Sequence, residues 1–109
     1  MKVKELSQKL NLRTLVEGDS ERAVEGCYCG DLLSWVMSRI KENDVWLTVM
    51  GNINAIAVAT LADVSCIVLV ENASLDEEAK RKAQAMDVTI LQTDANSYQL
   101  ATKIYELLK

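Results

Sequence analysis

Residues Cys66-Ile67-Val68-Leu69-Val70 form a run with no polar side chain, bounded by Ser65 and Glu71. Five residues suit a strand and are too few for a buried helix, and an unbroken apolar run marks a strand covered on both faces. A chain that holds such a strand must supply helices for both sides of a sheet. The surrounding sequence does so in alternation. A helix over 31–41 precedes the β-rich Val45-Trp46-Leu47-Thr48-Val49, and a helix over 53–62 leads into the central run. A helix over 75–86 follows, then Val88-Thr89-Ile90-Leu91, then a last helix to about Leu108. Upstream, Val3, Leu6 and Leu10 recur at helical spacing over 2–10, Thr14-Leu15-Val16 is a brief strand, and Ala23 to Cys29 is a second extended segment. The expected architecture is a single α/β domain over 1–109, in three layers, with a mostly parallel sheet flanked by helices on both faces. Asp31 is the expected N-cap of the second helix, Ser74 with Glu77 a capping box, and Asp94 or Asn96 the cap of the last helix.

The domain is large enough to stand without cross-links: at 109 residues, roughly 66% of the unfolded surface is buried on folding. Twelve basic against sixteen acidic residues leave a charge of −4, which offers no footprint for nucleic acid or an anionic membrane. There is no histidine, which removes the usual catalytic triads and most zinc sites. Four glycines, at 18, 26, 30 and 51, cannot supply a Walker A loop or a dinucleotide fingerprint. We therefore expect neither an enzyme nor a bound cofactor or metal.

Three cysteines, an odd number, do not make a disulfide framework. Bridging Cys27 and Cys29, two apart on a strand, would strain the bond geometry. They read as small apolar residues in a reducing cytosol, with redox sensing by Cys27 and Cys29 as a third-ranked role. The amino terminus has no signal-peptide core. The uncharged stretch between Asp44 and Asp63 is interrupted by Gly51-Asn52-Ile53-Asn54, a turn rather than a bilayer centre. A cytoplasmic protein is expected.

In an open parallel sheet, ligands bind beyond the carboxyl ends of the strands. Those exits carry Gly30, Asp31, Gly51, Asn52, Asn54, Asn72 and Asp94, amides and carboxylates suited to a small polar ligand. The same residue types are what caps and tight turns demand. Asp31, Glu71 and Asp94, with no lysine or arginine in the four loops, oppose a phosphate. The surplus apolar surface points elsewhere. Trp35 lies about 130° from the centre of its helix's apolar stripe, and helix 53–62 is apolar almost all round. Either that helix is sandwiched within the domain or it meets a second subunit. Trp35, Met37, Ile56 and Ala59 are the expected contacts of a homodimer or of an unknown protein partner.

The segment Gly26-Cys27-Tyr28-Cys29-Gly30-Asp31-Leu32-Leu33-Ser34-Trp35-Val36-Met37, with the order of elements after it, resembles the DRTGG domain family. The resemblance runs from about Val3 to Leu107 and is most specific over Gly30 to Met37. It implies a non-catalytic, regulatory domain of the kind found in CBS-domain pyrophosphatases and some phosphate acetyltransferases, with a fold similar to the amino-terminal domain of HPr kinase. Stand-alone versions in anaerobic bacteria and archaea imply a partner in redox or hydrogenase metabolism. Two departures matter. Gly51-Asn52-Ile53 stands where relatives carry Gly-Asp-Arg, and Val70-Glu71-Asn72 where they carry Thr-Gly-Gly. An arginine and two glycines suited to a nucleotide phosphate are thereby lost. The leading expectation is a regulatory or adaptor domain acting by homodimerisation and protein contact. The alternative is an adenine-nucleotide sensor at the strand exits.

Overall fold

A computed structural model describes all residues, Met1–Lys109. Its elements, in chain order, are α1 (Val3–Lys9), β1 (Arg13–Val16), β2 (Gly26–Cys29), α2 (Leu33–Arg39), β3 (Asp44–Thr48), α3 (Ile53–Ala62), β4 (Cys66–Leu69), α4 (Glu77–Ala85), β5 (Ile90–Gln92) and α5 (Ser97–Leu108). The strands form one sheet in the order β1-β5-β4-β3-β2. All neighbours are parallel except β1, which runs antiparallel along the outer edge of β5.

Side-chain alternation divides the interior into two cores. Trp46, Ile67, Leu69 and Ile90 face α2, α3 and α4, where they meet Val36, Ala55, Ile56, Ala59, Ala79 and Ala83. Val45, Leu47, Cys66, Val68 and Leu91 face the other way, onto Val3 and Leu6 of α1 and Leu100 and Ile104 of α5. Every residue of β3 and β4 is buried. The three-layer architecture with a mostly parallel sheet is as the apolar run of β4 requires.

The helix ends show where local signals were overruled. Asp31 does not cap α2. Its Oδ1 instead accepts from the Thr48 hydroxyl at 2.7 Å and the Val49 amide at 3.0 Å, because the end of β3 presents those donors beside it. The helix therefore starts two residues later, behind Leu32, with no side-chain cap. The Ser74–Glu77 capping box does not form either. The Ser74 carbonyl lies against Gly51, and the Asp76 amide donates to the Gly51 carbonyl at 2.8 Å. Ser74 is held in that crossing, so α4 begins at Glu77, behind Asp76. Of the two options for the last helix, Asn96 is the cap: it accepts from the Gln99 amide at 2.9 Å while Gln99 returns a bond at 3.0 Å. The final strand is displaced to Ile90–Gln92, since Asp87 takes a left-handed turn (φ 60°) that ends the preceding segment.

Helix α3 has the expected bounds, closed by the Asn52 side chain at one end and a left-handed Asp63 at the other. Its all-round apolar character has a cause within the domain: it lies on the sheet with α2 along one flank and α4 along the other. Ile56 and Ala59, expected as intersubunit contacts, are 1% and 2% exposed and belong to the core. The residues of α3 that stand outward are Asn54, Ala57 and Leu61.

A β-carbon at Gly51 would collide with the Ser74 backbone, whereas one at Gly30 would press on the movable Tyr28 ring at 3.0 Å. Gly51→Ala should therefore lower stability by about 1–3 kcal/mol, and Gly30→Ala by less. Urea midpoints of the two variants check this; equal shifts would refute the crossing as a packing constraint.

Candidate functional site

The carboxyl ends of β2 to β5 lie along one edge of the sheet, and the candidate residues divide there into two groups. In the first, Asp31 at the exit of β2 ties down the end of β3 through Thr48 and Val49. Beneath it the Trp46 indole donates to the Gly30 carbonyl at 2.9 Å. Asn52 is engaged as the cap of α3, accepting from the Ala55 amide at 2.9 Å, while Asn54 is exposed two residues on. Gly51 is packed under the β4–α4 connection. These residues serve local structure.

The second group contains a residue that inspection of the loops missed. Arg13 is the first residue of β1, and because β1 is antiparallel, that residue lies at the same edge as the ends of the other strands, opposite Gln92. Its guanidinium donates to Gln92 Oε1 at 3.0 Å through Nε, and through Nη2 to Asn72 Oδ1 and Asp94 Oδ1, both at 2.9 Å. Gln92 is itself anchored, its amide donating to the Ala73 carbonyl at 2.8 Å. The structure thus brings Asn72 and Asp94 together around a cation from outside the four loops. The four loops carry no lysine or arginine of their own, and β1 brings one to their edge. No signal along the sequence marks it, because its place depends on the direction in which the short strand over 13–16 pairs with β5.

Glu71 and Asn72 both adopt left-handed backbone conformations, each with φ 55°. Their amides donate to the Ala95 and Thr93 carbonyls, both at 2.8 Å, locking the exit of β4 to that of β5. These are the positions at which the resemblance places two glycines, residues that suit positive φ at no steric cost.

On α2, Leu32 and Trp35 stand on one outer flank, and Trp35 is 56% exposed. The Arg39 guanidinium covers its ring at 3.9 Å from the centroid, a cation–π contact that orders the indole. Val49, whose amide is bonded to Asp31 next to Leu32, is also exposed. Met37 is exposed as well but lies about 160° around the helix from Trp35, on a separate surface.

The cysteines do not share one environment. Cys66 is buried in the core as expected, Cys27 is half-buried, and Cys29 is exposed, so it is not a core residue. Nowhere do three or more Cys, Asp or Glu side chains converge as a metal site, and no helix is long and apolar enough to cross a membrane.

The left-handed Glu71 costs about 1–2 kcal/mol relative to a glycine, against which glycine loses about 0.5–1 kcal/mol in chain entropy. Glu71→Gly should therefore stabilise the domain by up to about 1 kcal/mol. A lowered urea midpoint would show that the Glu71 side chain contributes to the edge in its own right.

Comparison with known proteins places this arrangement. The fold is similar to that of a solved regulatory region of a Clostridium perfringens pyrophosphatase, comprising its CBS and DRTGG domains complexed with the activator diadenosine tetraphosphate. The TM-score is 0.68 at 11% identity, over 93% of this chain and 44% of the other, so this chain spans less than half of that structure. Among curated proteins none matches. The family model of the DRTGG domain matches residues 5–107, all five strands and the whole strand-exit edge included, and the chain belongs to the DRTGG domain family.

Proposed function

We propose that the protein is a non-catalytic regulatory domain of the cytoplasm that acts by contact, pairing with a second copy of itself through the Leu32–Trp35 flank of α2 and relaying to a protein partner. One observation carries this reading: a tryptophan more than half exposed, ordered by Arg39 and continuous with the exposed Leu32. Tryptophan and arginine are the residues that most often dominate binding energy at protein interfaces. The strand-exit residues speak for the same conclusion by their occupation, since Asp31, Asn52 and Asn96 are satisfied within the chain as ties and caps. Proteins of redox metabolism, the hydrogenase system included, are the partner class the family resemblance implies.

Light scattering at high micromolar concentration should report twice the chain mass. Trp35→Ala should weaken the dimer by about 2 kcal/mol, roughly thirtyfold in Kd. A monomer at that concentration, or a dimer indifferent to Trp35→Ala, removes the physical basis of the reading.

A second reading, an adenine-nucleotide sensor, is favoured by Arg13, which gathers Asn72 and Asp94 at the ligand-binding edge of the sheet. The structurally similar pyrophosphatase region was solved with a dinucleotide activator, in a chain more than twice as long. On the contact reading, millimolar AMP, ATP or diadenosine tetraphosphate leaves the melting temperature unchanged. A rise that Arg13→Ala abolishes would give the sensor first place, since binding to the native state alone must raise it.

A further inference from the structure

Cys27 and Cys29 lie two residues apart on the edge strand β2, and an extended strand puts such residues on one face. Tyr28 between them turns into the opposite core. The shared face looks onto α5, and between β2 and α5 runs an open groove of about 930 Å3 lined by both cysteines and by Leu10, Ile104 and Leu108. Its charged residues balance: Glu25 and Glu106 against Lys103 and Lys109, with Glu106 paired to Lys109 at 3.7 Å. The volume falls within the range of small-molecule sites, and the lining favours a compact ligand without strong net charge.

We propose that the Cys27–Cys29 pair is a thiol-exchange site, at which Cys29 takes half of a low-molecular-weight disulfide as a mixed disulfide seated in the β2–α5 groove. The Cys29 thiolate attacks one sulfur of R–S–S–R. A Cys29–S–S–R bond forms as the original bond breaks, and the departing RS⁻ takes up a proton. Cys29 is oxidised and the departing sulfur reduced, two electrons in all. A free small thiol reverses the step.

The two cysteines have different parts. The Cys27 side chain beside it favours the Cys29 thiolate, bringing that group down to about 7 against the opposing effects of burial and of the Asp31 carboxylate. Cys27 itself is pushed far up, through the neighbouring Cys29 and its own burial, with Asp44 adding to the effect, so it stays protonated. It is poorly placed to displace the adduct: two residues on a strand span about 6.6 Å, at the outer limit for a disulfide, and β2 is held in the ladder to β3. Cys66 is enclosed, its thiol pushed up to about 12 by burial, and serves as an unreactive internal reference.

The test uses the full chain at a concentration where it is monomeric, so that its outcome is separate from any dimer. The probe is 4,4′-dithiodipyridine, a small neutral disulfide, at pH 7. One thiol per chain should react in the fast phase, giving a lasting adduct that peptide mass mapping assigns to Cys29. Cys29→Ser should abolish that phase. Cys27→Ala should slow it by about sixfold or more: loss of the neighbouring thiol cuts the thiolate fraction at least about fiftyfold, offset about eightfold by the greater nucleophilicity of a more basic thiolate. Circular dichroism of each variant confirms the fold. The proposal is overturned by an adduct on Cys27 or Cys66, by an internal Cys27–Cys29 disulfide in place of the adduct, or by an unchanged rate in Cys27→Ala.

Discussion

The structure depends on the burial of β3 and β4 on both faces. Asp44–Thr48 and Cys66–Leu69 expose almost nothing, and alternate side chains enter two different cores. Two apolar faces back to back cannot be covered by helices on one side, so the chain must cross the sheet repeatedly, and α1 and α5 must close one face while α2, α3 and α4 close the other. Trp46 shows how tightly the constraint is drawn. Its ring is wholly buried in one core, and its single polar atom finds the Gly30 carbonyl at the strand-exit edge.

The same constraint explains the use of the polar residues at that edge. Each parallel strand must hand over to a helix within a few residues, and the freed amides and carbonyls there need partners. Asp31, Asn52 and Asn96 supply them, and Arg13 holds the β4 and β5 exits through Asn72 and Asp94. Left-handed Glu71 and Asn72 form a turn in which glycine would be at ease. An edge that the fold makes available for ligands is here organised largely around itself, while the exposed apolar and thiol chemistry sits elsewhere, on α2 and on β2.

How far this was legible in the residues varied by element. Helix α3 was delimited to the residue, because the turn over Gly51–Asn54 and the apolar run after it gave clear ends. The α2 and α4 starts were misplaced, because Asp31 and the Asp76 amide found partners from distant chain, Thr48 and the Gly51 carbonyl, in place of the local caps. Trp35 was set apart by its angle off the apolar stripe, and its exposure came with the structure. Ile56 and Ala59 were assigned to a surface because the neighbours that cover α3 come from segments remote in sequence. Arg13 escaped notice because its role depends on the direction of a four-residue strand.

The sequence alone determined the class of fold, the alternation of elements, the burial of the central strands and the absence of histidine chemistry, since each follows from local periodicity or from composition. Only the tertiary structure decided that β1 runs antiparallel and carries Arg13 to the strand exits, that α3 is flanked on both sides, and that Cys27 and Cys29 face a groove against α5. These are pairings between residues as many as 81 positions apart. Their energies are realised only when the chain closes, so no window along the sequence contains them.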